Sequence, residues 1–168
     1  MVHPLVTQLR FARSQFVYCL VGVSAEDAVR RIEPMNCISW IVGHLANQEN
    51  AYWVFFAQGL DMAIGLNDLV GYGRPASTPP LDEMWAVWRE ITSAADRYLD
   101  TLTVESMSKH LVFDGKPLDE IIGTKLMRNI YHYWYHVGQA HAVREMLGHR
   151  DLPDFVGDMS KAFYYPEK

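Results

Sequence analysis

LDEIIGTKLMRNIYHYWYHVGQAHAVREML, from Leu118 to Leu147, contains no proline, and Gly148 follows it where a left-handed helix cap belongs. A helix over that stretch is roughly 40 Å long, enough to run the length of a small domain. Upstream, Asp114, Gly115 and Pro117 form a turn. Before the turn, Leu81 to Leu102 places Met84, Val87, Trp88, Ile91, Ala95 and Leu99 on one stripe and reads as a further helix. From Gly59 to Pro80 the density of glycine and proline excludes any regular element, so this is a long connection. Asn36 is placed to cap a helix in which Ile38, Ile41, Val42, Leu45 and Trp53 recur at helical intervals as far as Gln58, with Gly59 as its stop. Leu5, Leu9, Phe16, Leu20 and Val23 give a first helix from Pro4 to about Val21. Ser24 with Asp27 resembles a capping box for a short turn that ends before Pro34.

These elements predict an all-α fold, a four-helix bundle with a long crossover connection between helices 2 and 3. A loop of about twenty residues can traverse the end of a bundle, whereas short loops join antiparallel neighbours. The length fits a single domain over residues 1–168. The tail from Asp151 to Lys168 is expected to pack across the surface.

Fifteen Lys plus Arg against twenty Asp plus Glu give a net charge of −5, and the basic residues form no stripe, which excludes a nucleic-acid partner. Arg10 and Arg13 ahead of an apolar run superficially resemble a signal peptide, but the helical spacing across the same residues reads as an amphipathic helix. No apolar run approaches the ~20 residues of a membrane span. Cys19 and Cys37 are too few for a disulfide framework and read as buried thiols in a reducing cytoplasm.

The chemistry lies in the histidines. His132 and His136 stand four apart on the long helix, which stacks two imidazoles on one face at a chelating distance. His44 sits in the apolar stretch Ile41 to Ala46, where an imidazole needs a partner or an ion. Asn129 and Gln139 continue the face of the pair and offer amides to orient ring nitrogens. A polar core in which these groups hydrogen-bond one another satisfies them as well. Cys37 is seven residues from His44, about 10 Å along a helix, too far to share an ion. His141 falls on the opposite side of the helix from His132. His3, His110 and His149 lie near ends or loops and are expected in solvent. Glu49 is about 140° around the helix from His44 and is not expected to bind the same ion.

SWIVGHLANQE, from Ser39 to Glu49, followed by HYWYHVGQ, from His132 to Gln139, and a helix end at LGH, resembles the DinB/YfiT-like superfamily of metalloenzymes over nearly the whole chain. The resemblance implies a four-helix bundle, often a homodimer. It also implies one divalent ion (Ni, Zn, Fe or Mn) held by His44, His132 and His136. Relatives include bacillithiol transferases and a mycothiol-dependent isomerase, so it further implies transfer of a low-molecular-weight thiol to a small-molecule substrate. Trp40, Tyr52, Trp53 and Tyr135 are candidate walls for the electrophile, or simply core. Three neutral imidazoles leave an open coordination position, which serves a metal-dependent hydrolase equally well. A non-catalytic stress-response module that holds a metal or ligand is the third reading, since no acid or base stands beside the histidines.

Overall fold

The computed structural model describes residues 2–163. It is mainly α. The order is α1 Pro4–Cys19, α2 Ala25–Val29, α3 Ile38–Glu49, a π-helical segment Asn50–Phe56 that continues α3, and α4 Leu66–Val70. After these come α5 Leu81–Leu99, a 3₁₀ turn Glu105–Ser108, β1 His110–Phe113, β2 Lys116–Ile121 and α6 Ile122–Met146. Four long helices share one buried apolar cluster, with α1 packed on α6, α3 on α5, and α3 on α6.

The ends follow local chemistry. His3 caps α1 through Nδ1, which accepts the Leu5 N–H at 3.2 Å, and Pro4 occupies the first turn, where its missing N–H costs nothing. Ser24 caps α2 by accepting the Asp27 N–H at 3.0 Å. Gly148 closes α6 at φ +86°, with the His149 N–H on the Arg144 carbonyl. Asn36 does not cap α3. Cys37 holds that position, and its side chain caps no backbone N–H of the first turn.

Further expectations are corrected. The connection from Gly59 to Pro80 contains a regular element after all, because α4 buries Leu66 and Val70 against α3. Leu118 to Ile121 is strand rather than helix: β2 pairs antiparallel with β1 across Asp114 and Gly115, at φ +48° and +71°. Two successive positive φ values are what a tight hairpin turn needs, and Asp-Gly supplies them cheaply. The all-α reading therefore stands apart from this hairpin, and α5 ends at Leu99 rather than Leu102.

Gly43 explains how α4 comes so near α3. A Cβ there would lie 2.5 Å from Met84 Sδ and 3.2 Å from a Val70 methyl. Gly43→Ala is expected to cost about 1–3 kcal/mol by overpacking, read as a lower urea midpoint at unchanged slope. Residues 151–163 return toward α1, where Gln8 Nε2 donates to the Ala162 carbonyl at 3.1 Å. The last five residues of the tail lie outside the described residues.

Candidate metal centre

α3 delivers His44 and α6 delivers His132 and His136 to one point. The Nε2 atoms of His44 and His132 are 3.2 Å apart, and those of His136 and His132 are 2.9 Å apart. Nitrogens ~2.0–2.1 Å from a zinc ion stand roughly 2.9–3.4 Å from one another, so the spacing suits a tetrahedral or octahedral ion. Among the described residues this is the group of histidine, cysteine and carboxylate side chains able to hold a metal.

The protons decide how well the group fits a cation. His44 Nδ1 faces the Val70 carbonyl at 2.8 Å, and a carbonyl only accepts, so Nδ1 carries the proton and Nε2 presents a lone pair. His136 Nδ1 donates to Gln139 Oε1 at 2.7 Å, which leaves its Nε2 a lone pair as well. Both lone pairs face His132 Nε2, which carries at most one proton, while His132 Nδ1 is buried without a partner. As neutral rings alone, the three leave one nitrogen contact unsatisfied; a cation among the three Nε2 atoms removes the conflict.

Burial lowers the His44 pKa despite the Val70 bond. Burial and the neighbouring His44 lower His132 to about 4, and burial with His132 and His44 lowers His136 to about 3. All three rings are thus neutral at pH 7, the state a metal requires. The shifts also give the metal-free fold a pH dependence. Between pH 6.5 and 4 the unfolded chain binds more protons than the folded one, so stability falls as the pH falls. About 2 kcal/mol is expected from this source after allowing for the partial exposure of His132. Urea unfolding at pH 7 and pH 4.5 checks it, and a His132→Gln/His136→Gln variant should show a smaller drop.

Trp40 stacks on His44 with ring centroids 4.5 Å apart and planes 13° apart, which shields one face of the imidazole. Tyr52, Tyr135 and His132 line a cleft of about 780 Å³ with Gln48, Tyr72, Thr124, Met127, Arg128 and Tyr131. Two of the predicted residues are placed elsewhere. Trp53 is fully buried and donates its indole N–H to Asn129 Oδ1 at 2.7 Å, so it belongs to the core. Asn129 spends its other end on Gln48, at 2.8 Å, so its hydrogen bonds go to Trp53 and Gln48 rather than to the triad. Gln139 does hold His136, and its replacement by leucine is expected to weaken metal binding about 10- to 100-fold in a chelator competition.

The remaining candidates stand apart from the triad. Cys37 Sγ faces Ser39 Oγ at 3.3 Å, and Cys19 is buried, its thiol pushed up to about 11 by burial against the opposing pull of Arg144. His110 is exposed, but His149 lies between Arg144 and Asp27 rather than free in solvent. The Val70 carbonyl, Tyr72, Arg128 and Tyr131 were not singled out from sequence. A backbone acceptor has no sequence signal, and Tyr72 lies in the connection read as featureless.

A family model described as Mycothiol-S-transferase matches residues 4–148, which span all four long helices and the triad. The chain belongs to the mycothiol S-transferase family. This is a DinB/YfiT-like family, in line with the resemblance of the two histidine segments. No curated protein matches the chain. As a family member, the chain carries a three-histidine group able to bind a metal ion, beside an open cleft rich in tyrosine. No helix among the described residues is long and apolar enough to cross a membrane.

Proposed function

We propose that the protein is a metal-dependent S-transferase, in which His44, His132 and His136 hold one divalent ion and the adjoining cleft receives a low-molecular-weight thiol of the mycothiol class and an electrophile. The observation that carries this reading is the convergence of imidazole nitrogens whose tautomers are set by Val70 and Gln139. A divalent ion bound there supplies Lewis acidity, which favours a thiolate at neutral pH.

The chain's own residues account for the rest. The Val70 carbonyl and Gln139 keep two Nε2 lone pairs aimed at the site, and Trp40 keeps water off one face of His44. His132 and Tyr135 bring the cleft to the triad, and Tyr52, Tyr131 and Tyr72 offer ring faces to an unsaturated or apolar electrophile. The thiol proton leaves to solvent through the open cleft. The sulfur forms its bond to the electrophilic carbon, and the leaving group departs with the bonding pair.

Hydrolysis is the alternative reading, and the cleft disfavours it. Its lining contains no carboxylate and Glu49 is fully buried in an ion pair, so an amine or alkoxide leaving group would have to take its proton from a tyrosine hydroxyl, a weak acid at neutral pH. Transfer to a good leaving group needs no such proton. The test supplies zinc, nickel, iron or manganese to the purified protein with mycothiol and a halogenated electrophile, and a simple ester in a parallel assay. Thiol consumption that disappears in His44→Ala supports transfer. Ester turnover without thiol consumption replaces it with hydrolysis, and no turnover of either leaves a metal- or ligand-binding module.

A further inference from the structure

Glu49 lies five residues beyond His44 on α3, shows no exposure to solvent, and has no part in the chemistry above. Arg13 of α1 holds it through Nε at 2.7 Å and through Nη2. Tyr133 of α6 donates its hydroxyl proton to Glu49 Oε1 at 2.6 Å and accepts the Trp88 indole N–H of α5 at 2.8 Å. Arg13 also donates to Asp96 of α5 at 2.7 Å. One buried polar node therefore joins all four long helices.

A buried ion pair is weak evidence for stability, because lost hydration offsets much of the attraction. It does impose geometry, since every bond is directional and a slip leaves a buried charge without its partner. Its Tyr133–Glu49 bond joins the two helices that carry the triad. Tyr133 directly follows His132 and precedes His136 by three, while Glu49 shares α3 with His44. A second bridge, Asn129 Nδ2 to Gln48 Oε1 at 2.8 Å, joins the same two helices. Apolar packing tolerates small slides, whereas metal–ligand distances tolerate only about 0.2 Å.

We propose that the Arg13–Glu49–Tyr133 node is the positioning device of the metal centre: it fixes the separation between His44 and the His132–His136 pair, and with it the metal affinity. The proposal rests on the reading of the triad as a metal site. Glu49 and Tyr133 are positioning residues, since neither belongs to the group of side chains able to bind the ion.

Tyr133→Phe removes one hydroxyl and keeps the ring. Its zinc affinity, from competition with a chromophoric chelator, and the visible spectrum of its cobalt(II) form are compared with those of the wild type and of Val6→Ala. The latter is a core truncation seven residues before Arg13 on α1. All are measured where circular dichroism shows full folding. The expected result is zinc binding at least about tenfold weaker in Tyr133→Phe with shifted cobalt bands. Val6→Ala should bind like the wild type although its melting temperature falls. Should Tyr133→Phe not fold, Glu49→Gln takes its place with the same expectation. Unchanged affinity in the node variant, or an equal loss in Val6→Ala, overturns the positioning role. A wild type that binds no metal overturns the reading of the triad and this proposal with it.

Discussion

Arg13→Met is expected to lose about 3–5 kcal/mol of folding stability, the cost of leaving a buried charge without its partner. Methionine roughly fills the volume of the arginine stem, so little of the loss comes from a cavity. Glu49 retains the Tyr133 hydroxyl but loses both guanidinium contacts, in a place with no solvent to replace them. Asp96 loses less, because it is partly exposed and keeps Arg10 at 3.2 Å. Burial opposes the Arg13 charge, yet Glu49, Tyr133 and Asp96 together raise its pKa above the ordinary arginine value, so the guanidinium stays charged. Equilibrium unfolding in guanidinium chloride reads the loss. An Arg13→Met/Glu49→Leu double variant should recover a good part of it, since the unpaired charge is then gone. A single variant as stable as the wild type contradicts the account of Glu49 as a buried, paired carboxylate.

His132→Ala is expected to weaken metal binding more than 100-fold. Residues that only orient a ligand are worth about 10- to 100-fold, and a ligand is worth more. Its nitrogen is the middle member of the triad, 3.2 Å from that of His44 and 2.9 Å from that of His136. Removing it leaves the other two without the group between them. The fold should persist, because His132 is only partly buried and two lone pairs no longer face a third ring. Chelator competition monitored beside circular dichroism separates the two effects. Loss of metal together with loss of helix would place His132 in the scaffold instead.

The helices were legible because their apolar residues recur with the period of the surface each must bury. The histidines were legible for a related reason. His132 and His136 share a face by spacing alone, and His44 interrupts an apolar run that only a partnered imidazole can occupy. What sequence did not yield depends on contacts between distant segments. The hairpin was visible only as Asp114-Gly115, since its strands are short and their burial does not alternate cleanly. Trp53 and Asn129 have the residue types of a pocket wall and a ligand-orienting amide. They bond to one another because Trp53 turns inward from the π-helical segment. The angle of Glu49 on its helix sets it away from His44. Its partner Arg13 is thirty-six residues earlier, on a helix whose neighbour no local pattern reveals.

The most direct test of the metal centre is X-ray absorption at the metal edge of the protein carrying one equivalent of zinc, with no affinity tag present. The account requires three imidazole shells with nitrogen at about 2.0–2.1 Å and a fourth, exchangeable light atom. Added thiol should replace that atom with one sulfur at about 2.3 Å. Fewer than three imidazoles, a sulfur shell before any thiol is added, or no stoichiometric zinc at all would contradict it.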